Sequence, residues 1–281
     1  MNATPSSLGL QQLLLNTLIH AFNETSQKGK CERCSDCAFP GMDSTDYHTV
    51  LARDIGATPR YLATGTSACM AANRISYIFN LTGASMSIDT ACSSSMAALH
   101  QAVRTLQRGD SAMAVVAGAK MIFTPDMFMP SSELGFLSAS GRCRSFDADG
   151  DGYGRGEGVL ALLLKPLEVA VADNDPIRAV IKGVRLNQDG RTQGITLPSS
   201  EAQRHNMEML YSGIGIKPDD IQYVEAHVSI FRISLPDPHV MPCLDGNTGH
   251  RHASWRSAGV QCNPSCLFTR SPTSSIDSRF H

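Results

Sequence analysis

No apolar run in this 281-residue chain approaches the length needed to cross a bilayer; the longest, Val159 to Leu164, has the length of a buried strand. A charge excess of one sign is also missing. Lys and Arg number 24 against 26 Asp and Glu, a net charge of -2, which excludes a general nucleic-acid surface. Neither nucleic acid nor membrane is therefore expected as a partner. Internal repeats and low-complexity tracts are absent, which excludes a repeat architecture. No basic residue precedes Lys28, so the N-terminal stretch lacks the signature of a signal or transit peptide. The nine cysteines are odd in number and irregular in spacing, which speaks against a disulfide framework. They read as reduced thiols, and the chain as cytoplasmic. With 42% apolar and 18% charged residues, the composition is enough for one sizeable domain.

What is present is alternation. Leu10, Leu14, Leu18 and Phe22 fall four apart, predicting an amphipathic helix over residues 7–22. Leu81 to Asp89, Met113 to Ala119, Val159 to Lys165, Ala179 to Leu186 and Ile221 to Ala226 read as strands. Ser93 to Arg108 reads as a helix with Met96, Leu99, Val103 and Leu106 inward and Gly109 as its stop. Pro198-Ser-Ser200 opens another over Glu201 to Tyr211. Strands and helices in alternation predict a layered α/β domain.

Several local patterns imitate binding sites. Asp147-Ala-Asp-Gly-Asp-Gly152 begins like a calcium loop, but Arg155 and Gly158 stand at its ninth and twelfth positions. The glycines of Gly152 to Gly158 fit neither nucleotide-binding spacing and read as close backbone packing. Cys31, Cys34 and Cys37 have metal-ligand spacing without a fourth partner, and His239, Cys243, His250, His252, Cys262 and Cys266 are spaced irregularly. No metal site is assigned.

One cysteine is placed differently. In Asp89-Thr-Ala-Cys92-Ser-Ser-Ser95, Cys92 lies between a predicted strand and a predicted helix. There it would feel the positive end of the helix dipole, which favours thiolate, and unpaired backbone N–H groups could hold an oxyanion. The same turn could equally bury a structural thiol.

The surrounding residues carry a resemblance. The Cys92 segment resembles the active-site signature of β-ketoacyl synthases, in particular the ketosynthase domains of polyketide synthases, and among them the fungal iterative reducing type. Arg60-Tyr-Leu-Ala-Thr-Gly65, Asn73-Arg-Ile-Ser-Tyr77, Gly118, Pro125-Asp-Met-Phe128 and Gly141-Arg-Cys-Arg-Ser-Phe-Asp147 follow in family order. So do Gly152-Tyr-Gly-Arg-Gly-Glu-Gly158, Asn187-Gln-Asp-Gly-Arg191 and Val224-Glu-Ala-His227. The resemblance implies a thiolase-like layered fold, with the first half largely present and the second half mostly missing. It divides the chain into a divergent segment 1–43 with one helix, a partial ketosynthase domain 44–227, and an unrelated tail 228–281. The segment from Lys28 to Pro40 is polar and cysteine-rich where the family has an apolar strand.

The resemblance also implies a chemistry. Cys92 would take an acyl group from the phosphopantetheine thioester of an acyl carrier protein. Decarboxylation of a malonyl thioester would then give an enolate that attacks the acyl-Cys92, and His227 would stabilise that enolate. No bound cofactor is implied. A homodimer, or pairing with an intact ketosynthase, is the implied association.

After His227 the likeness stops. The family's second histidine and its nearby lysine have no counterpart; Gly246-Asn-Thr-Gly-His250 lacks the flanks, and His250 is given no role. The tail's Ser, Pro, Arg and His content predicts disorder, as a shifted frame or retained intron would produce. Three functions stay open: a condensing enzyme, an inactive truncated remnant, and a docking module for an intact synthase.

Overall fold

The computed structural model describes residues 17–19, 36–42, 46–144, 149–195 and 197–221, and the backbone of 265–269. Two sheets organise them. In the first, β1 (Cys37–Met42) runs parallel to β2 (Ala114–Lys120), and β2 pairs antiparallel with β3 (Gly158–Leu164). In the second, β4 (Val180–Arg185) pairs antiparallel with β5 (Ser265–Thr269). The helices between them are α1 (Asp46–Ala52), α2 (Leu62–Thr66), α3 (Cys69–Phe79), α4 (Ser94–Arg108), α5 (Phe128–Glu133), α6 (Leu167–Ala172) and α7 (Ser200–Ile214).

Strand β1 overturns the reading of its segment as a polar interruption. Cys37 to Phe39 are fully buried. Burial pushes the Cys37 thiol above its ordinary value, and the neighbouring Asp36 charge adds to this against a hydrogen bond with Ser111. Asp36 itself is buried and accepts the Met113 N–H at 3.0 Å, tying the start of β1 to the start of β2. Cys37, one member of the suspected metal triplet, is therefore a core residue, and Cys31 and Cys34 lie outside the described residues.

The predicted strand over Leu81 to Asp89 runs along the other edge of β1. Ala38 N–H donates to Ala84 O, Ile88 N–H to Pro40 O and Met42 N–H to Ile88 O. The ladder is broken into two bridges, Ala38–Ser85 and Gly41–Ile88. Pro40 explains the break, because it has no N–H to give at the intervening rung.

Side chains alternate between the two faces of the first sheet, as the pleat requires. Ala38, Val115 and Ala117 form one core with Leu18, Ile75 of α3 and Leu81. Cys37, Phe39, Ala114 and Val116 form the other with Ala98, Leu99 and Ala102 of α4. Ile181 of β4 joins this second core, so α4 bridges the two sheets. Its buried positions include three alanines, Ala97, Ala98 and Ala102, beside the predicted Leu99, while the predicted Met96 and Leu106 pack on this core only partly buried. Small side chains let a helix approach closely on two sides. Gly109, at φ +76, ends α4 in the left-handed conformation, as the sequence predicts.

The run Val159 to Leu164 departs from its reading as a buried strand. Val159, Ala161 and Leu163 pack on the first core, but Leu160 is 75% exposed and Leu162 46%. These two point to the α4 side of the sheet, beyond the reach of α4 itself. From β3 the chain turns through α6 to β4, a path held by Lys165, whose Nζ bonds the carboxylates of Asp173 and Asp175. Within the 228–281 segment, the strand β5 is paired to β4.

Desolvation, Arg104 and Arg185 together hold His100 of α4 below its ordinary value of 6.5. The unfolded chain therefore binds this proton at a higher pH than the folded one. Stability is intact above about pH 6.5 and falls as the pH drops below it towards the folded value. Urea denaturation between pH 7.5 and 5 checks this: His100→Gln should flatten the fall relative to the parent chain.

Candidate active site

Cys92 is the middle residue of a 3₁₀ turn, Ala91–Ser93, that joins the edge segment of β1 to the first residue of α4. The turn is sharp because Ala91 adopts φ +53, a left-handed conformation that costs a non-glycine residue about 1–2 kcal/mol. Its neighbours hold it there. The Ala91 N–H donates to Asp89 Oδ1 at 2.9 Å. Ser94 Oγ accepts the Thr90 N–H at 2.9 Å and donates to the Ala91 carbonyl at 2.6 Å. Ser93 Oγ donates to the Thr90 carbonyl at 2.8 Å.

This is a different use of the serines from helix capping. Ser93 occupies the cap position of α4, yet its side chain makes no capping hydrogen bond. The hydroxyls of Ser93 and Ser94 brace the turn instead, and both residues are buried while Cys92 is exposed. The positive end of α4 is thus directed at the turn that carries the thiol. Such a turn can present a nucleophile to an incoming carbonyl and offer backbone N–H groups to the charge that develops on its oxygen.

Two glycines set the height of the turn above the sheet. Gly41 of β1 and Gly118 of β2 are register partners. A Cβ on Gly41 would lie 2.5 Å from the Ser95 backbone nitrogen, and one on Gly118 3.0 Å from Ser95 Cβ. The pair forms a notch into which the first turn of α4 settles. Gly118 belongs to the family pattern, but its partner Gly41 lies in the segment read as divergent. Only strand pairing reveals that they act together.

Of the two residues assigned a catalytic part, the structure places Cys92, and His227 lies outside the described residues. Gly152 and Gly154 do pack closely, as expected: a Cβ on either would collide with backbone in the 137–141 segment. Among the described residues, no group of three or more His, Cys, Asp or Glu is arranged to hold a metal, and no helix is long and apolar enough to cross a membrane.

The sequence pattern of the β-ketoacyl synthase N-terminal domain matches residues 9–170, and that of the C-terminal domain matches 178–229. The chain belongs to the β-ketoacyl synthase family. It is 47% identical to Preu1, a highly reducing polyketide synthase of Preussia isomera, over 77% of this chain and 9% of that protein. It is 46% identical to a highly reducing polyketide synthase of Didymella fabae, over 89% of this chain and 14% of the relative. Among solved structures, the ketosynthase from module 6 of the bacillaene synthase of Bacillus subtilis 168 superposes with a TM-score of 0.70 at 36% identity. That match covers 77% of this chain and 37% of the ketosynthase. The oxazolomycin ketosynthase domain of Streptomyces albus gives 0.71 at 33% identity, covering 78% and 38%.

The architecture is accordingly thiolase-like, and this ketosynthase chain spans well under half of the solved domains it matches. The N-terminal match ends within α6 and the C-terminal match begins just ahead of β4. Helix α4, with Cys92 at its head, therefore touches elements of both. The N-terminal match also takes in β1 and part of the predicted helix over residues 7–22.

The notch yields a graded prediction. Gly41→Ala should destabilise the chain severely, because its Cβ would overlap rigid backbone at 2.4 Å, whereas Gly118→Ala meets a milder contact, 3.0 Å from Ser95 Cβ, that asks for a shift of only a few tenths of an ångström. Thermal denaturation of the two variants should show the larger loss for Gly41→Ala, with Gly118→Ala folded.

Proposed function

We propose that this chain is ketosynthase sequence of a fungal highly reducing polyketide synthase, and that Cys92 is its acyl acceptor. The observation that carries the reading is the exposed Cys92 on a strained turn at the head of α4, inside the ketosynthase match. The thiolate attacks the carbonyl of an acyl thioester on the phosphopantetheine arm of an acyl carrier protein. A new carbon–sulfur bond forms, and the carrier thiolate leaves and takes up a proton. A malonyl-carrier thioester then loses carbon dioxide. The enolate so formed attacks the acyl carbonyl, Cys92 departs as thiolate, and the product is a 3-oxoacyl thioester longer by two carbons.

His227 is assigned the enolate: a neutral imidazole N–H donated to its oxygen would lower the barrier to decarboxylation. The support is its place in Val224-Glu-Ala-His227, within the C-terminal match. The reading needs no bound cofactor, since the phosphopantetheine belongs to the carrier protein. It places the chain in the cytoplasm with acyl and malonyl thioesters as substrates.

A second reading is favoured by the uncovered Leu160 and Leu162 on β3. In that reading the chain is catalytically silent and docks on an intact synthase through the apolar face that it leaves open.

Intact-protein mass spectrometry after incubation with an acyl-cysteamine donor separates the two. A single acyl adduct, abolished by Cys92→Ala, is expected of the enzyme; no adduct on folded protein, with capture of an intact ketosynthase, is expected of the docking module. Adduct formation that survives Cys92→Ala would overturn the assignment. With a malonyl donor, His227→Ala should leave loading intact and reduce carbon dioxide release by about 10²–10³-fold. Equal loss of loading and release would make His227 structural.

A further inference from the structure

Ser94 is buried at 4% exposure beside an exposed thiol, and its single hydroxyl makes two backbone bonds that span the turn. It accepts from Thr90 N–H at 2.9 Å and donates to the Ala91 carbonyl at 2.6 Å. Between those two backbone groups stands the one link of the turn that resists its own conformation, Ala91 at φ +53. The bonds from Ser94 grip the 89–90 and 91–92 peptide units, which bracket Thr90 and the left-handed Ala91. The Asp89 carboxylate holds its N–H from outside.

We propose that Ser94 is a positioning residue: its hydroxyl latches Ala91 in the left-handed conformation and so holds the Cys92 thiol at the head of α4. Without the latch, an alanine returns to the right-handed or extended regions that L-residues prefer. The chain entering Cys92 then changes direction, and the thiol leaves the positive end of the helix. A glycine at position 91 has no such preference and keeps the turn without help. The latch is thus needed because residue 91 carries a Cβ. Its meaning for catalysis rests on the reading of Cys92 as acyl acceptor given above.

The test is alkylation of the full chain by iodoacetamide, followed cysteine by cysteine with peptide mass spectrometry. Cys69 and Cys143 are exposed and serve as reference thiols; Cys37 is buried and reports whether the fold is intact. Ser94→Ala should slow alkylation of Cys92 at least threefold relative to Cys69 and Cys143, with Cys37 still protected. Ala91→Gly should stay within twofold of the parent, and the Ala91→Gly, Ser94→Ala double variant should return to within twofold. A purely structural hydroxyl would not be rescued by glycine at the neighbouring residue. Should Ser94→Ala expose Cys37, the double variant must restore both its protection and the Cys92 rate.

A parent-like Cys92 rate in Ser94→Ala, or a double variant as slow or as unfolded as the single one, overturns the proposal. The same four proteins given an acyl-cysteamine donor should follow the same order. No acyl adduct on the parent, with the alkylation order intact, would overturn the acyl-acceptor reading and leave the latch standing.

Discussion

The first turn of α4 rests directly on glycine backbone, and the other packing in the first sheet serves that contact. A helix sits this low on a sheet only if side chains are missing at the point of touch. Gly41 and Gly118 supply the gap from two neighbouring strands. The alanines at 97, 98 and 102 extend the close approach along the helix. Phe39 and Leu99 then fill the volume beside it. Cys92 inherits its position from this stack, because only Ser93 separates it from the first helical residue.

The strained turn and the seated helix depend on each other. A left-handed alanine is unfavourable alone and persists only where its surroundings over-determine it. Here the restraint is polar and local on one side, from Asp89 and Ser94, and steric on the other, from the notch. Strain at one residue is thereby exchanged for a thiol presented outward beside two buried serines.

Much of this was legible in the sequence, and the misses share a cause. Strands β2, β3 and β4 and helices α4 and α7 follow from periodicity, and Cys92 stood out because strand, turn and helix signals bracket it within a few residues. Strand β1 escaped because Pro40 and Gly41 are poor strand formers whose place is decided by partners on both sides rather than by propensity. The Gly41–Gly118 notch joins residues 77 positions apart and exists only once register is set. The bracing by Ser94 was hidden because a serine at the start of a helix ordinarily serves as a cap. Leu160 and Leu162 read as interior because a continuous apolar run does not tell which of its two faces is covered.

The notch also has a mechanical consequence. Helix α4 is about 22 Å long by its rise per residue. It is held at its first turn by rigid backbone and at its far end by softer side-chain contacts. It therefore behaves as a lever with its fulcrum beneath Ser95. A tilt of about 5° carries the Gly109 end through roughly 2 Å but leaves the thiol almost where it was. On this geometry, a shift of that size in the second sheet would be taken up far from Cys92, towards the Gly109 end of the helix.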